Sequence, residues 1–290
     1  MMAKAEGKGS LYLCATPIGN LEDITLRALR ILKEVDLIAA EDTRHTQKLL
    51  NHFEIAKPLT SYFEHNKREK GPLLINMLLE GQDIALVTDA GTPGVSDPGA
   101  DLVRLCIDAD VPVVAIPGPS AMLSALVVAG LPTNKFSFYG FWPREKSGRD
   151  PFWTEVRKQR STLIFYEAPH RLLKTLQAMV TVLGDRQAAA ARELTKRYEE
   201  VVRGKLSDLL THFTEQAPRG EFTLVIDGAA EEEIQKEDRA ELPDPQDHVK
   251  QLMAEGVSKK EAIKKVAVIH NIPKREVYQR TLALDKDEQA

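Results

Sequence analysis

Short segments rich in glycine, proline and small polar side chains carry the residues of this sequence that could do chemistry. The most distinctive segment follows the apolar run Ile84–Val87 and reads Asp89-Ala90-Gly91-Thr92-Pro93-Gly94. Such a run is typical of a strand buried on both faces, and open α/β sheets bind ligands beyond the carboxyl ends of their strands. Glycine there lets a ligand approach the backbone closely. We therefore predict that this segment, Gly91 included, contacts a ligand.

The same combination of an apolar run and a Gly/Pro loop occurs twice more. Residues 11–15 precede Thr16-Pro17-Ile18-Gly19-Asn20, and Val113–Ile116 precedes Pro117-Gly118-Pro119-Ser120. One such loop alone is more often a tight surface connection. Three loops, each after an apolar run, favour a shared binding site instead.

Missing motifs limit what that site could bind. No G-x-x-x-x-G-K-[ST] occurs, and no G-x-G-x-x-G follows the first apolar run, which argues against a nucleoside triphosphate or a dinucleotide. The seven histidines are scattered without an H-E-x-x-H pattern, so no metal is expected. We expect a compact ligand with an adenine, a ribose and a charged amino-acid end, held by backbone groups and small side chains.

Length and composition are those of an ordinary globular protein. The 290 residues, 43% hydrophobic and 28% charged, suffice for two domains or for one large domain with an appendage. A net charge of -4 gives no global attraction to nucleic acid, so such a partner would need a local basic patch. The sequence contains no apolar run long enough for a membrane span, residues 1–10 lack the apolar core of a signal peptide, and Cys14 and Cys106 lie far apart in apolar runs. We expect a cytoplasmic protein without membrane contact.

Alternating patterns divide the chain into an α/β body and a helical tail. Over residues 1–128 strands alternate with helices, which predicts a parallel sheet with helices on both faces, and Asp23 suits the N-cap of a helix through Val35. Residues 129–230 predict a second α/β domain with neighbouring, antiparallel strands. Residues 231–245 hold seven acidic and two basic residues and two prolines, which indicates a linker.

The tail, residues 246–290, predicts three short helices with a basic face, similar to a helix-turn-helix unit. Over residues 246–282 eight Lys or Arg face four Asp or Glu, and Ser258 suits the N-cap of the second helix. We predict that RNA is contacted by Lys259, Lys260, Lys264 and Arg275. The alternative is a solvated helical hairpin docked on the body.

Five segments of this sequence together resemble the tetrapyrrole-methylase superfamily. They are the Thr16 and Asp89 loops, Glu41-Asp42-Thr43-Arg44, Pro117-Gly118-Pro119-Ser120-Ala121 and Tyr166-Glu167-Ala168-Pro169-His170-Arg171. The order is most similar to the ribosomal-RNA branch, whose members methylate a cytidine 2′-hydroxyl in small-subunit rRNA. The resemblance implies two α/β domains of the tetrapyrrole-methylase type with the cofactor cleft between them, followed by the small helical C-terminal unit. It also implies S-adenosylmethionine as the cofactor.

The resemblance assigns cofactor contacts position by position. Thr92 stands where tetrapyrrole enzymes carry the aspartate of a G-D-P loop, so the polar contact must come here from its hydroxyl, the backbone or Asp89. The cofactor-binding residues expected on this basis are Pro17, Ile18, Asp89, Gly91, Thr92, Val95, Ser120, Ala121, Tyr166 and Phe222.

Transfer of a methyl group to a ribose hydroxyl requires alignment and removal of one proton, which predicts a nearby base. Catalytic candidates are Glu167, His170 and Lys196, with Asp89 as a further possible base; we expect Glu167 to orient His170 and Lys196 mainly to contact RNA. For His170 the alternative is a structural residue after Ala168-Pro169. Substrate contacts in the body are predicted for Arg44, Arg171, Arg192 and Arg197, against the alternatives of an ion-paired turn and a solvated charge run.

The partners implied are ribosomal RNA, in the assembled or nearly assembled small subunit, and a second copy of the chain in a homodimer. Two other functions remain open from the sequence. One is methylation of a tetrapyrrole carbon, which the basic tail and the altered G-D-P loop disfavour. The other is a non-catalytic ribosome-assembly factor that keeps the fold as a scaffold, which the complete set of loops disfavours.

Overall fold

The computed structural model describes residues 7–143, 151–231 and 242–282. Its first sheet is parallel throughout, with strand order β3-β2-β4-β1-β5. The strands are β1 (Leu11–Cys14), β2 (Leu37–Ala40), β3 (Leu59–Ser61), β4 (Ile84–Val87) and β5 (Val113–Ile116). The helices are α1 (Leu26–Glu34), α2 (Thr43–His52), α3 (Lys67–Leu79) and α4 (Gly99–Asp108). The predicted parallel sheet is confirmed.

Both faces of this sheet are buried, because alternate residues of each strand enter different cores. Ala85 and Val87 pack against α1 and α2, whereas Ile84 and Leu86 pack against α3 and α4. That explains why β4 is apolar at every position. The N-cap of α1 is Thr25, not the predicted Asp23, because Asn20 starts a separate 3-10 turn over Leu21–Asp23.

The second sheet is mostly antiparallel, with strand order β6-β7-β10-β8-β9 and one parallel pair, β6 with β7. Its strands are β6 (Phe136–Phe141), β7 (Thr162–Glu167), β8 (Gln187–Arg192), β9 (Glu200–Lys205) and β10 (Phe222–Ile226). One face is covered by α6 (Pro151–Lys158), α7 (Leu172–Leu183) and α8 (Leu206–Glu215). The predicted antiparallel neighbours are confirmed.

Helix α5 (Ala121–Ala129) leads from the first sheet to the second. It follows β5, but its buried residues Ala125, Leu126 and Ala129 pack on the opposite face of the second sheet. Ser120 caps it by accepting a hydrogen bond from the Leu123 N–H. The predicted boundary between residues 128 and 129 therefore falls inside an element that covers the second sheet.

Residues 229–290, which we call the C-terminal unit, are a compact unit distinct from residues 1–228. Its three helices are Pro245–Ala254, Lys259–Ile269 and Lys274–Leu282, and Ser258 caps the second as predicted. A small core holds them together, formed by Val249, Ala262, Ile263, Val266, Ala267 and Val277. Residues 232–241 of the predicted linker and residues 283–290 of the predicted tail lie outside the described residues. In the described part of the chain no helix is both long and apolar enough to cross a membrane.

Candidate active site

Hydrogen bonds tie together the three loops at the carboxyl ends of β1, β4 and β5. Thr16 and Gly91 exchange backbone hydrogen bonds of 2.9 and 3.0 Å, and the Thr16 hydroxyl donates to the Thr88 carbonyl. The Thr92 hydroxyl donates to the Pro119 carbonyl at 3.2 Å. The loops that the sequence singled out thus form one rigid rim.

The loop after β4 is also held from within. Gly91 and Gly94 have φ of 84° and 88°, a region that residues with a side chain rarely adopt. The carboxylate of Asp97 accepts hydrogen bonds from the backbone N–H groups of Gly94, Val95 and Gly99, at 2.7 to 3.2 Å. The loop is therefore preorganised by its own backbone.

A cavity of about 420 Å³ lies beside this loop, between the ends of the two sheets. We call it the first cavity. Its lining includes eight of the ten residues predicted to bind the cofactor: Ile18, Gly91, Thr92, Val95, Ser120, Ala121, Tyr166 and Phe222. Pro17 and Asp89 line a neighbouring cavity instead.

Aromatic side chains form one wall of the first cavity. The Tyr166 ring packs edge-on against Phe138 and Phe141, at centroid distances of 4.9 and 6.0 Å. Burial raises the pKa of Tyr166, so its hydroxyl stays neutral. Phe141 lines the cavity although 53% of it is exposed, and sequence reasoning missed it. Its position at the end of β6, beside Tyr166 of β7, is the signal that could have found it.

The second cavity, of about 450 Å³, adjoins the first. The two share Ile18, Ala90, Lys196 and Glu221. Both polar and apolar side chains line its wall, which includes Thr16, Pro17, Leu21, His45, Thr46, Lys48, Leu49 and Asp89. Burial and the nearby Glu41 raise the pKa of Asp89.

Lys196 lies where the two cavities meet. Its Nζ is 2.9 Å from Glu193 Oε1 and 3.1 Å from Glu221 Oε2. Partial burial lowers the pKa of the ammonium group, but the two carboxylates outweigh this effect and the pKa of Lys196 is raised overall. Lys196 is therefore positively charged at neutral pH. We call Lys196, Glu193 and Glu221 the Lys196 cluster.

Two glycines make room for the Lys196 cluster. A Cβ atom at Gly19 would lie 2.3 Å from Lys196 Cγ, and one at Gly220 would lie 2.4 Å from Glu193 Cγ. The Thr195 hydroxyl also accepts a hydrogen bond from the Asn20 N–H, which joins this turn to the loop after β1. Sequence reasoning found Lys196 but missed both carboxylates, because Glu221 is distant in the chain and nothing in the local sequence shows that Glu193 pairs with Lys196.

Glu167 and His170 do not come together as the sequence suggested. The Glu167 side chain is fully buried, and its oxygens accept hydrogen bonds from the Ala168 N–H and the Thr175 hydroxyl. Arg171 pairs with Glu167 and donates to the Trp142 carbonyl. His170 is exposed and lines neither cavity. The geometry fits a structural role for Glu167 and Arg171.

The other arginines predicted to contact RNA in the body lie at the surface or in ion pairs. Arg44 pairs with Asp42 at 2.8 Å and lowers its pKa, with 88% of the Arg44 side chain exposed. Arg192 pairs with Glu200 at 2.6 Å. Arg197 is exposed and lies 5.6 Å from the centre of the Tyr198 ring. Arg44 and Arg197 are accessible to a large partner, whereas Arg192 is mostly covered.

The C-terminal unit has a basic groove of its own. This groove, about 560 Å³ in volume, is lined by Lys259, Lys260, Ile263, Lys264, Lys274, Arg275 and Tyr278. It contains the four tail residues predicted to contact RNA. In the described residues no group of three or more side chains is suited to hold a metal ion.

Comparison with known families covers both units. Residues 10–210 match the family described as Tetrapyrrole (Corrin/Porphyrin) Methylases. Residues 240–285 match the RsmI C-terminal HTH domain.

Three curated relatives align over nearly their full length. The chain is 50% identical to Ribosomal RNA small subunit methyltransferase I of Halalkalibacterium halodurans over 273 residues, which is 94% of each chain. It is 50% identical to the protein of that name from Bacillus subtilis, over 93% of each chain. The Synechocystis protein of that name is 46% identical, over 96% of this chain and 99% of its own.

Solved structures share the fold at lower identity. Uroporphyrin-III-C-methyltransferase from Thermus thermophilus superposes with a TM-score of 0.53 at 22% identity, over 76% of this chain and 92% of that one. A cobalt precorrin-4 methyltransferase superposes with a TM-score of 0.56 at 17% identity, over 75% of this chain and 94% of that one. At these identities the likeness shows the fold alone.

Proposed function

This chain belongs to the tetrapyrrole methylase family, among its small-subunit ribosomal RNA methyltransferases, and we propose that its two cavities hold the methyl donor and the target nucleotide. It is an S-adenosylmethionine-dependent enzyme that methylates the ribose 2′-hydroxyl of a cytidine in 16S rRNA. The observation that carries the proposal is the position of Lys196 at the wall shared by the two cavities.

The first cavity fits S-adenosylmethionine in size and chemistry. Its volume lies within the range of about 300–1,000 Å³ usual for small-molecule sites. Tyr166 and Phe141 offer an aromatic surface for an adenine, and Glu193 and Glu221 offer negative charge for a cationic ligand. The residues that would hold the cofactor are Ile18, Gly91, Thr92, Val95, Ser120, Ala121, Tyr166 and Phe222. When bound, it supplies a methyl group already activated by the sulfonium, so the chain must align the acceptor oxygen and remove its proton.

The Lys196 cluster is suited to both tasks. The charged ammonium group of Lys196 donates hydrogen bonds, so it can hold the ribose oxygen but cannot accept its proton. The carboxylates of Glu193 and Glu221 are acceptors, and Glu221 lines both cavities. We assign alignment to Lys196 and uptake of the proton to these carboxylates. Glu167 lines the first cavity but is less suited, because its side chain is fully buried and both of its oxygens accept hydrogen bonds, and His170 lies outside both cavities.

The basic groove of the C-terminal unit supplies attraction for the RNA backbone. Lysine and arginine side chains bind phosphates without reading the sequence. The groove also holds Tyr278, on which an unpaired base can stack. We propose the assembled or nearly assembled small subunit, in the cytoplasm, as the form of RNA that is recognised.

We further propose that the chain acts as a homodimer. Helix α5 exposes Leu123, Val127 and Val128, which form apolar surface that a second copy would cover. Sedimentation of the purified protein would test this, since a single monomeric species over a concentration series contradicts it.

Two measurements test the proposed function. Titration of the purified protein with S-adenosylmethionine in a calorimeter should give one binding site per chain. Mass spectrometry of 16S rRNA from cells that lack the protein should show one cytidine without its ribose methyl group, restored by the gene on a plasmid. Unchanged rRNA in those cells, or methylation of a tetrapyrrole by the purified protein, would overturn the proposal.

A further inference from the structure

The second cavity is lined by side chains that can bind a ligand, in addition to adjoining the first cavity. Its side chains Pro17, Leu21 and Leu49 are apolar, whereas Asp89, His45 and Lys48 are polar or charged. Apolar walls with a few placed polar groups are typical of small-molecule sites. Its volume of about 450 Å³ lies within the range of about 300–1,000 Å³ usual for small-molecule sites.

The position of this cavity fits the base of the target nucleotide. Ala90 and Ile18 belong to both cavities, and Asp89 and Pro17 adjoin them in the chain. A ribose held at Lys196 would therefore have its base beside the second cavity. This step rests on the proposed function, because it takes the ribose 2′-oxygen to lie at the shared wall.

Asp89 is held in place and keeps one acceptor available. Its Oδ1 accepts a hydrogen bond from the Asp42 N–H at 3.1 Å. Among the described residues Oδ2 has no hydrogen-bond partner. The adjacent Thr88 hydroxyl donates to Glu41, so Glu41 is engaged while Asp89 faces the cavity. Asp and Glu carboxylates accept hydrogen bonds from the exocyclic amine of cytosine.

We propose that the second cavity takes the cytosine base of the target nucleotide and that the Asp89 carboxylate accepts a hydrogen bond from its exocyclic amine. Uracil has a carbonyl oxygen at that position, and two acceptors repel each other. Asp89 thus makes the enzyme select cytidine over uridine. The sequence predicted Asp89 as a cofactor contact and as a possible general base, and this proposal moves it to the substrate side of the shared wall.

The charge of Asp89 gives a second expectation that can be measured. Burial and Glu41 raise the pKa of Asp89, so the ionised carboxylate costs stability at neutral pH. Asp89→Asn should therefore raise the melting temperature. A purely structural carboxylate would show the opposite, because its loss would remove stabilising contacts.

The test compares Asp89→Asn with wild type on small subunits from cells that lack the enzyme, carrying either cytidine or uridine at the target position. We expect wild type to prefer cytidine, and Asp89→Asn to reduce that preference about 10- to 100-fold, which is the discrimination that one base contact gives. Affinity for S-adenosylmethionine, measured by calorimetry, should change less than about twofold. Asp42→Asn is the matched control, because Asp42 lies outside both cavities and asparagine caps α2 equally well.

Three outcomes would overturn the proposal, and a fourth result separates it from the proposed function. Weakened cofactor binding in Asp89→Asn would return Asp89 to the cofactor site. An unchanged preference for cytidine, or an equal loss in Asp42→Asn, would show that the carboxylate does not read the base. Failure of wild type to methylate either subunit would instead refute the proposed function itself.

Discussion

Lys196 illustrates how the position and charge of one side chain depend on its neighbours in the fold. Its ammonium group is paired with Glu193 and Glu221. Its side chain fits against the loop after β1 because Gly19 has no side chain. These partners come from three separate parts of the chain. Local sequence patterns identify the lysine but not its charge state, since that depends on tertiary contacts.

Lys196→Met should lower the methylation rate at saturating cofactor and RNA by about 100-fold or more, because the acceptor oxygen loses the group that aligns it and the proton-accepting carboxylates lose the cation that positions them. Cofactor affinity should change little, since the cavity keeps its aromatic wall and Gly/Pro loops. Single-turnover assays and calorimetry measure the two quantities. His170→Ala is the companion variant and should keep nearly full rate. The opposite pattern would assign proton transfer to the histidine.

Gly220→Ala should displace Glu193 and thereby lower turnover. The added Cβ would lie 2.4 Å from Glu193 Cγ, and the φ of 78° adds a strain of about 1 kcal/mol. Gly130→Ala provides the control, because Gly130 has a φ of 77° and no atom within 4 Å of the added Cβ. Both variants should lose similar stability in thermal melts, but only Gly220→Ala should lose activity. Equal activity in the two would show that the position of Glu193 does not matter.

At the scale of elements, the loop after β4 is the best predicted part of the site. Its glycines and prolines, placed after a fully buried strand, indicated a ligand loop, and its residues do line the first cavity. What the sequence did not reveal is the role of Asp97, whose carboxylate holds three backbone N–H groups. Hydrogen bonds of this kind form in three dimensions and leave no periodic signal.

Asp97→Ala should loosen this loop and weaken cofactor binding. The variant leaves backbone donors unpaired, at a cost of about 1–3 kcal/mol for each buried group. We expect S-adenosylmethionine affinity to fall about 10-fold or more by calorimetry. Asp97→Asn should recover part of the affinity, because its amide oxygen still accepts. Full affinity in Asp97→Ala would mean that the loop is held by Thr16 and Thr92 alone.

Elements also show where sequence reasoning fails. Strand and helix order followed from alternating apolar runs, because each element has to bury a face. Residue roles around Tyr166 were harder to predict. Arg171 and Arg192 suggested RNA contacts by their charge, yet both are partly covered and paired with carboxylates. Charge alone does not tell a solvated arginine from one that closes a turn.

For the whole molecule, residues 1–228 contain the two cavities in which we place the reaction, and the C-terminal unit contains the basic groove that attracts RNA. The net charge of -4 opposes RNA, so the groove in the C-terminal unit has to supply the local positive potential. This arrangement predicts that the groove contributes to RNA affinity and not to cofactor binding.

Lys264→Glu combined with Arg275→Glu should weaken binding to the small subunit and lower the salt dependence of the binding constant. Each lost phosphate contact reduces the slope of log K against log salt by about one. Lys250→Glu is the control, because Lys250 lies in the same unit outside the groove. Filter binding over a salt series measures the effect. Identical slopes for both variants would show that the groove does not contact RNA.

Helix α5 has a consequence for how such enzymes can be recombined. It is capped at the rim of the first cavity, yet its apolar face completes the core of the second sheet. A chimera that joins halves of two relatives at residue 129 would therefore pack a helix from one parent against a sheet from the other. A crossover between Ser120 and Ala121 keeps that packing within one parent. Shuffled libraries should yield folded proteins mainly from crossovers at the start of α5, because α5 and the second sheet then come from the same parent.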